Sequence, residues 1–264
     1  MTYIVKTEWL KIKNYRAFWV FSIFYLVSIF LINYIGWTVY QRAISELPIS
    51  EQILGQPFAF PTVWGTVGWM SSWLLYFPGM IIIMLMVNEF NFKTHRQNII
   101  DGLSRNQFLT VKIVLCLLLA FLITIINSLT ALFFGSISPG FFSTAGMENI
   151  FYIFLQSVAY IFFALMLAVL FRRSGLAIII FFIYGLIFEW LITGLTTFQF
   201  HMAPAGYFLP LQVSDVLLPI PFGKKQGMSM YPHTPAAYVL VLAILAYISL
   251  YVFFARKKFL HDDL

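Results

Sequence analysis

NEFNFKTHRQNIIDGLSRNQFLTVK, residues 88–112, is a charged island between two long apolar runs. Thr94 followed three residues later by Gln97 predicts a capping box at a helix start, in which two orphan backbone donors are satisfied reciprocally. Gly102 stands where a left-handed residue would close that helix. Ser104 and Gln107 repeat the capping pattern and open a second, much longer helix. A helix of about two turns is therefore expected between the ends of two apolar segments. Ile99, Ile100 and Leu103 lie among Arg96, His95 and Asp101, which leaves an apolar tip on a charged loop. Such a tip suits either a loop resting on lipid headgroups or a docking helix for a soluble partner. The rest of the chain favours docking.

The chain has 264 residues, 61% hydrophobic and only 10% charged. Soluble domains carry about 25% charged residues. The composition is that of a polytopic membrane protein, all-α, with no sheet expected. The one cysteine, Cys116, sits in an apolar run, which excludes a disulfide framework and a cysteine metal site. His95, His201, His233 and His261 are scattered and form no ligand pair.

Segments of about 20 apolar residues cross a bilayer core. Six such spans are expected, at about 17–37, 62–87, 111–134, 150–171, 175–195 and 236–255, in a single transmembrane domain over 1–264. Residues 1–16, MTYIVKTEWLKIKNYR, place Val5, Trp9 and Ile12 on one face and lysines away from it. That pattern predicts a retained helix lying in the membrane interface rather than a cleaved signal. Pro61 suits a helix start, and Pro78 should kink the second span. The coupling loop is 88–110, and Arg172 and Arg173 make a tight basic turn between spans 4 and 5. Residues 196–235 are too apolar for a solvated loop. Within them 205–218 predicts a short helix broken at Pro210 and stopped by Pro219 and Pro221, at the outer interface or dipping against other helices.

Orientation follows from Lys and Arg. With the N-terminus inside, thirteen basic residues fall on inner segments and three, Arg42, Lys224 and Lys225, on outer ones. Both termini and the 88–112 island are then cytosolic, and the protein belongs in a bacterial cytoplasmic membrane.

No HExxH, GxSxG or GxxxxGK[ST] pattern is present, so the chain lacks the usual loop for binding and hydrolysing ATP. Asp262 and Asp263 read as a solvated tail. Glu189 is the one ionisable residue deep in a span, roughly 21 Å along its helix from Gly175. A carboxylate there must face protein, water or a partner. It reads as a substrate-pathway or proton-handling residue, or as a structural carboxylate hydrogen-bonded to a neighbouring helix. Asn127 is a polar position of span 3 and a second candidate on a substrate pathway.

The sequence resembles the six-span permease subunits of type-2 ABC exporters, in particular the bacterial ones grouped with bacitracin and lantibiotic export and self-immunity. The resemblance covers essentially the whole chain. It rests on KTEWLKIKNYRAFW before span 1, on the 88–112 island with its acidic residue, Thr-x-Arg start, Gly and Ser-Arg, on the basic turn between spans 4 and 5, and on FLPLQVSDVLLPIP before span 6. It implies that the island carries a coupling helix which inserts into a separate ATPase subunit, with Glu89, Thr94, Arg96, Gln97, Gly102 and Arg105 forming or bracing the contact. The N-terminal helix would be the connecting helix. Two permease chains, identical or related, would pair above two ATPase subunits. ATP and Mg would be bound by those subunits, with no cofactor in this chain and no nucleic-acid partner. The cargo would be hydrophobic or amphipathic: a peptide antibiotic, a lipid-like compound or a drug. Two other readings use Glu189, as the acid or base of an intramembrane enzyme with His201, or as the carrier of a proton-coupled transporter.

Overall fold

The computed structural model describes residues 2–46, 51, 54–200, 202–218, 220–221 and 234–261. His201, Pro219, Lys224, Lys225, His233, Asp262 and Asp263 lie outside the described residues. All regular structure among the described residues is helical. In chain order the helices are α1 (Thr2–Lys13), α2 (Arg16–Glu46), α3 (Val63–Ser72), α4 (Tyr76–Asn91), α5 (Thr94–Ile100), α6 (Arg105–Ile137), α7 (Glu148–Phe171), α8 (Ser174–Gln199), α9 (Ala203–Gly206), α10 (Gln212–Asp215) and α11 (Ala237–His261). Five are long and apolar enough to cross a membrane, and the bent pair α3 and α4 makes a sixth candidate span. This is an all-α polytopic membrane protein.

The bundle is built around α7. Past Glu148 its sequence has no charge and is mostly apolar on every side, which suits either a membrane span or the core of a bundle. Most of it is buried inside the bundle. Ala159, Ala164 and Ala168 are fully buried and let neighbouring helices approach closely. Ile83, Met86 and Val87 of α4, Cys116 and Ala120 of α6, Phe181 of α8 and Tyr251 of α11 pack around it in one core. By contrast α2 buries only Tyr25, Ile29, Asn33 and Tyr40, nearly all on one stripe. Much of the rest of its surface is exposed Val, Ile, Leu and Phe, which suits contact with lipid chains.

Several boundaries differ from those read in the sequence. The first span does not stop at 37 but continues as helix to Glu46, because residues 38–46 include the good helix formers Gln41, Arg42, Ala43 and Glu46 and no Gly or Pro. The second span is broken by 48°, and the break lies at residues 73–75 rather than at Pro78. Pro78 sits in the first turn of α4, where its missing N–H costs nothing; its ring excludes the carbonyl four residues earlier, at Leu74, and so the helix is interrupted there. The fifth span runs on to Gln199 and contains two π-helical stretches, Tyr184–Phe188 and Leu195–Gln199. Between spans 5 and 6, two four-residue helices flank Pro210. The break at that proline is as expected. The segment is packed into protein, with Tyr207, Leu211, Val213 and Leu218 fully buried, mostly against α7 and α11.

The basic ends of the helices meet at one end of the bundle. Arg105 Nη1 donates to the Leu260 carbonyl at 2.8 Å, and Arg256 Nε donates to Asn106 Oδ1 at 3.2 Å. At the opposite end, Trp64 Nε1 donates to the Ser143 carbonyl at 3.2 Å and Phe60 packs edge-on to Phe142.

Gly79 marks a close approach of α4 to α8. A Cβ there would collide with the ring of Phe181, which is itself fully buried. Overpacking of this kind costs about 1–3 kcal/mol. Gly79→Ala is expected to lower the melting temperature of the purified protein, and Phe181→Leu in the same chain should restore most of the loss in a thermal denaturation assay.

Candidate functional site

The charged island folds as a short helix clamped between two spans. Lys93 takes a left-handed conformation, φ 57°, and turns the chain out of α4 into α5. The capping box expected of Thr94 and Gln97 does not form. Lys93, not Thr94, is the N-cap, and it makes no side-chain cap bond. Thr94 is already helical, and its hydroxyl points back toward the Glu89 carbonyl at 3.5 Å. The far end closes as the sequence indicates. Gly102 has φ 101°, its N–H donates to the Ile99 carbonyl at 3.1 Å, and the Leu103 N–H donates to Asn98 at 3.0 Å. These two bonds are the Schellman pattern. Ser104 and Gln107 then form the full capping box that starts α6.

Beneath α5 lies an aromatic base. His95 is buried, and its Nδ1 donates to the Glu89 carbonyl at 2.9 Å. Its ring packs against Phe90 at 5.1 Å, Phe90 against Phe259 at 6.3 Å, and Phe259 stacks on Phe108 at 5.1 Å. The Arg172 guanidinium lies 5.0 Å from the centre of the Phe90 ring, so the turn between spans 4 and 5 touches the same base.

Deeper still is a buried ion-pair cluster. Lys112 of α6 bonds both Glu8 of α1 and Glu89 of α4. Lys11 reaches Glu8 at 2.7 Å and Glu89 at 3.7 Å. Lys112 is roughly 10 Å along α6 from its start, near where the hydrocarbon region should begin, so its charge needs protein partners. Burial raises the Glu8 carboxyl, but Lys112 and Lys11 outweigh that and hold it below its ordinary value of 4.5.

Of the six residues implied by the resemblance, Arg96, Gln97 and Gly102 are exposed on or just after α5, beside Phe92 at 76% and Ile100 at 84% exposure. Glu89, Thr94 and Arg105 turn inward and brace the helix. Glu8, Phe90, His95 and Lys112 complete the brace and lie outside the set that the resemblance implies. A lone acid on a basic interfacial helix and a lysine at the start of an apolar run were the signals that could have found two of them.

Glu189 occupies a separate centre, in α8 just after its first π-helical stretch. Its Oε1 accepts from the Leu211 N–H at 2.9 Å and its Oε2 from the Gln212 N–H at 2.7 Å. Nearby, Asp215 accepts from Gln156 Nε2 at 2.8 Å and from the Tyr160 hydroxyl at 3.0 Å. The two carboxylates thus tie the 203–218 segment to α8 and α7. Asn127 lies elsewhere, buried between α6 and α2, where it donates to the Tyr25 hydroxyl at 3.2 Å and the Ile123 carbonyl at 2.9 Å. Among the described residues, Asn127 and Glu189 share no hydrogen-bonding partner.

A family model described as "Protein of unknown function (DUF2705)" matches residues 55–264. The chain belongs to that family. No curated protein matches it. The matched region holds Glu89, Lys112, Glu189 and Asp215, whereas Glu8 and Lys11 precede it.

Two outcomes are expected. Lys112→Met leaves two buried acids with only the partly exposed Lys11 and should cost about 3–5 kcal/mol; changing Glu8 and Glu89 to Gln as well should recover most of it, read by thermal denaturation. Because the folded Glu8 carboxyl lies below 4.5, its stabilisation is present above that value and is lost as pH falls through the folded value. A spin label at Asn14→Cys should gain mobility over that acid range, and the same change should be absent in Glu8→Gln.

Proposed function

We propose that this protein is the membrane-spanning permease subunit of an ATP-driven ABC exporter. The observation that carries the reading is the helix Thr94–Ile100, fixed at both ends to spans and presenting exposed Phe92, Arg96, Gln97 and Ile100 at the basic end of the bundle. An apolar tip rimmed by polar groups is the usual form of a docking surface. The partner is a separate ATPase, which binds ATP and Mg, and α5 seats in a groove of it on the cytosolic side. Two ATPases and a second permease chain complete the assembly. Closure of the ATPases pushes on α5. The Schellman closure and the capping box pass the motion to α6, while Lys93 and the His95 to Glu89 bond pass it to α4. The cargo is a hydrophobic or amphipathic compound crossing the cytoplasmic membrane.

The geometry at Glu189 supports a tie between helices, since both carboxylate oxygens already accept backbone N–H bonds. Glu189→Gln should lose one of these bonds and cost about 1–3 kcal/mol, with faster hydrogen exchange at Leu211 and Gln212.

The docking reading is tested by purifying tagged protein from its native membrane and identifying stoichiometric companions by mass spectrometry. An ATPase is expected with the natural chain and is expected to be lost with Arg96→Glu or Ile100→Asp. Recovery of the same ATPase with both variants would overturn the docking site, and no ATPase with the natural chain would overturn the function.

A further inference from the structure

A cavity of about 610 Å³ opens between α1, α4 and α6. It lies within the range of about 300–1,000 Å³ typical of small-molecule sites. Its two ends differ in chemistry. The end toward the basic side holds all of its charged lining, Glu8, Lys11, Glu89 and Lys112, set among apolar side chains such as Trp9 and Phe92. The other is lined by Ile81, Leu118, Phe121 and Leu122, all apolar. Along α6 the distance from Lys112 to Leu122 is roughly 15 Å at 1.5 Å per residue. That is half of a hydrocarbon core of about 30 Å. The cavity is thus as deep as one leaflet, mostly apolar, with its charged groups gathered where headgroups lie.

The polar mouth carries both signs of charge. Lys11 is partly exposed there, and its ammonium is available to an anion as well as to Glu8. Glu89 Oε1 is taken by Lys112, but Glu89 Oε2 is buried with no hydrogen-bond partner. A buried carboxylate oxygen without a donor is costly, and the terminal torsion of Glu is soft enough to turn it toward a donor arriving at the mouth.

We propose that this cavity binds one zwitterionic aminophospholipid of the adjacent leaflet, with an acyl chain against α6, its phosphate at Lys11 and its primary ammonium at Glu89. The site needs no ATPase, so it stands or falls apart from the docking reading.

The test is native mass spectrometry of the purified full chain after delipidation. Equimolar phosphatidylethanolamine, phosphatidylcholine and phosphatidylglycerol of one chain length are then added back. Phosphatidylcholine has the same charges but no N–H on its head, and phosphatidylglycerol has no cation. The natural chain should retain one phosphatidylethanolamine about tenfold over the other two, the worth of one hydrogen bond to a charged group. Glu89→Gln should abolish that preference while leaving a lipid bound. Leu118→Trp, at an exposed position on the cavity wall, should expel the lipid altogether. Equal retention of the three lipids by the natural chain, no lipid retained because a second copy covers the cavity, or undiminished retention by Leu118→Trp would each overturn the proposal.

Discussion

One lysine holds the basic end of this molecule together. Lys112 lies between two buried acids contributed by residues 104 and 23 positions away in sequence, and with them it joins the N-terminal helix to spans 2 and 3. Removing Lys112 leaves two buried acids that share only the partly exposed Lys11, which is why such a cluster depends on its central cation. The cluster also explains the course of α1. Glu8 and Ile12 turn into the protein and Trp9 stays exposed, so the helix is attached by its acid as much as by its apolar stripe.

Above that cluster, α5 is held by local geometry rather than by a core. It is seven residues long, too short to persist alone in water. A left-handed lysine at its start, a left-handed glycine after it and the ring of His95 beneath it fix its direction. The cost of the left-handed lysine, about 1–2 kcal/mol, is offset by the packing of Phe90, Phe259 and Phe108. A similar arrangement recurs at the other polar centre, where Glu189 receives two backbone donors from the start of α10. In both places, chain that could not satisfy its own backbone is anchored by a buried charged or aromatic group from a neighbouring span.

Much of this was legible in the sequence. Span positions follow from apolar length, and the left-handed Gly102 and the Ser104–Gln107 cap follow from residue chemistry within four positions. The Thr94 cap failed because Lys93 adopts a conformation that lysine seldom takes, under constraint from packing that no local pattern encodes. The extension of α2 was hidden by polar residues that read as loop but are good helix formers. Pro78 announced a break but not its place, because the ring acts on a carbonyl one turn earlier. The pairing of Lys112 with Glu8, and of Glu189 with residues 211 and 212, joins distant segments and depends on how the helices are arranged in space.

The central position of α7 has a consequence for biogenesis. The helix on which the others pack is the fourth of six candidate spans to be made. Until residue 171 has been synthesised, spans 1 to 3 have only one another and the Lys112 cluster to pack on, and the faces they turn to α7 must wait in lipid. Lipid tolerates this, because an unpaired apolar helix in a bilayer gives up little until its partner arrives. The core around α7 therefore forms after spans 1 to 3 are made, and α11 packs on a hub completed about 65 residues earlier along the chain.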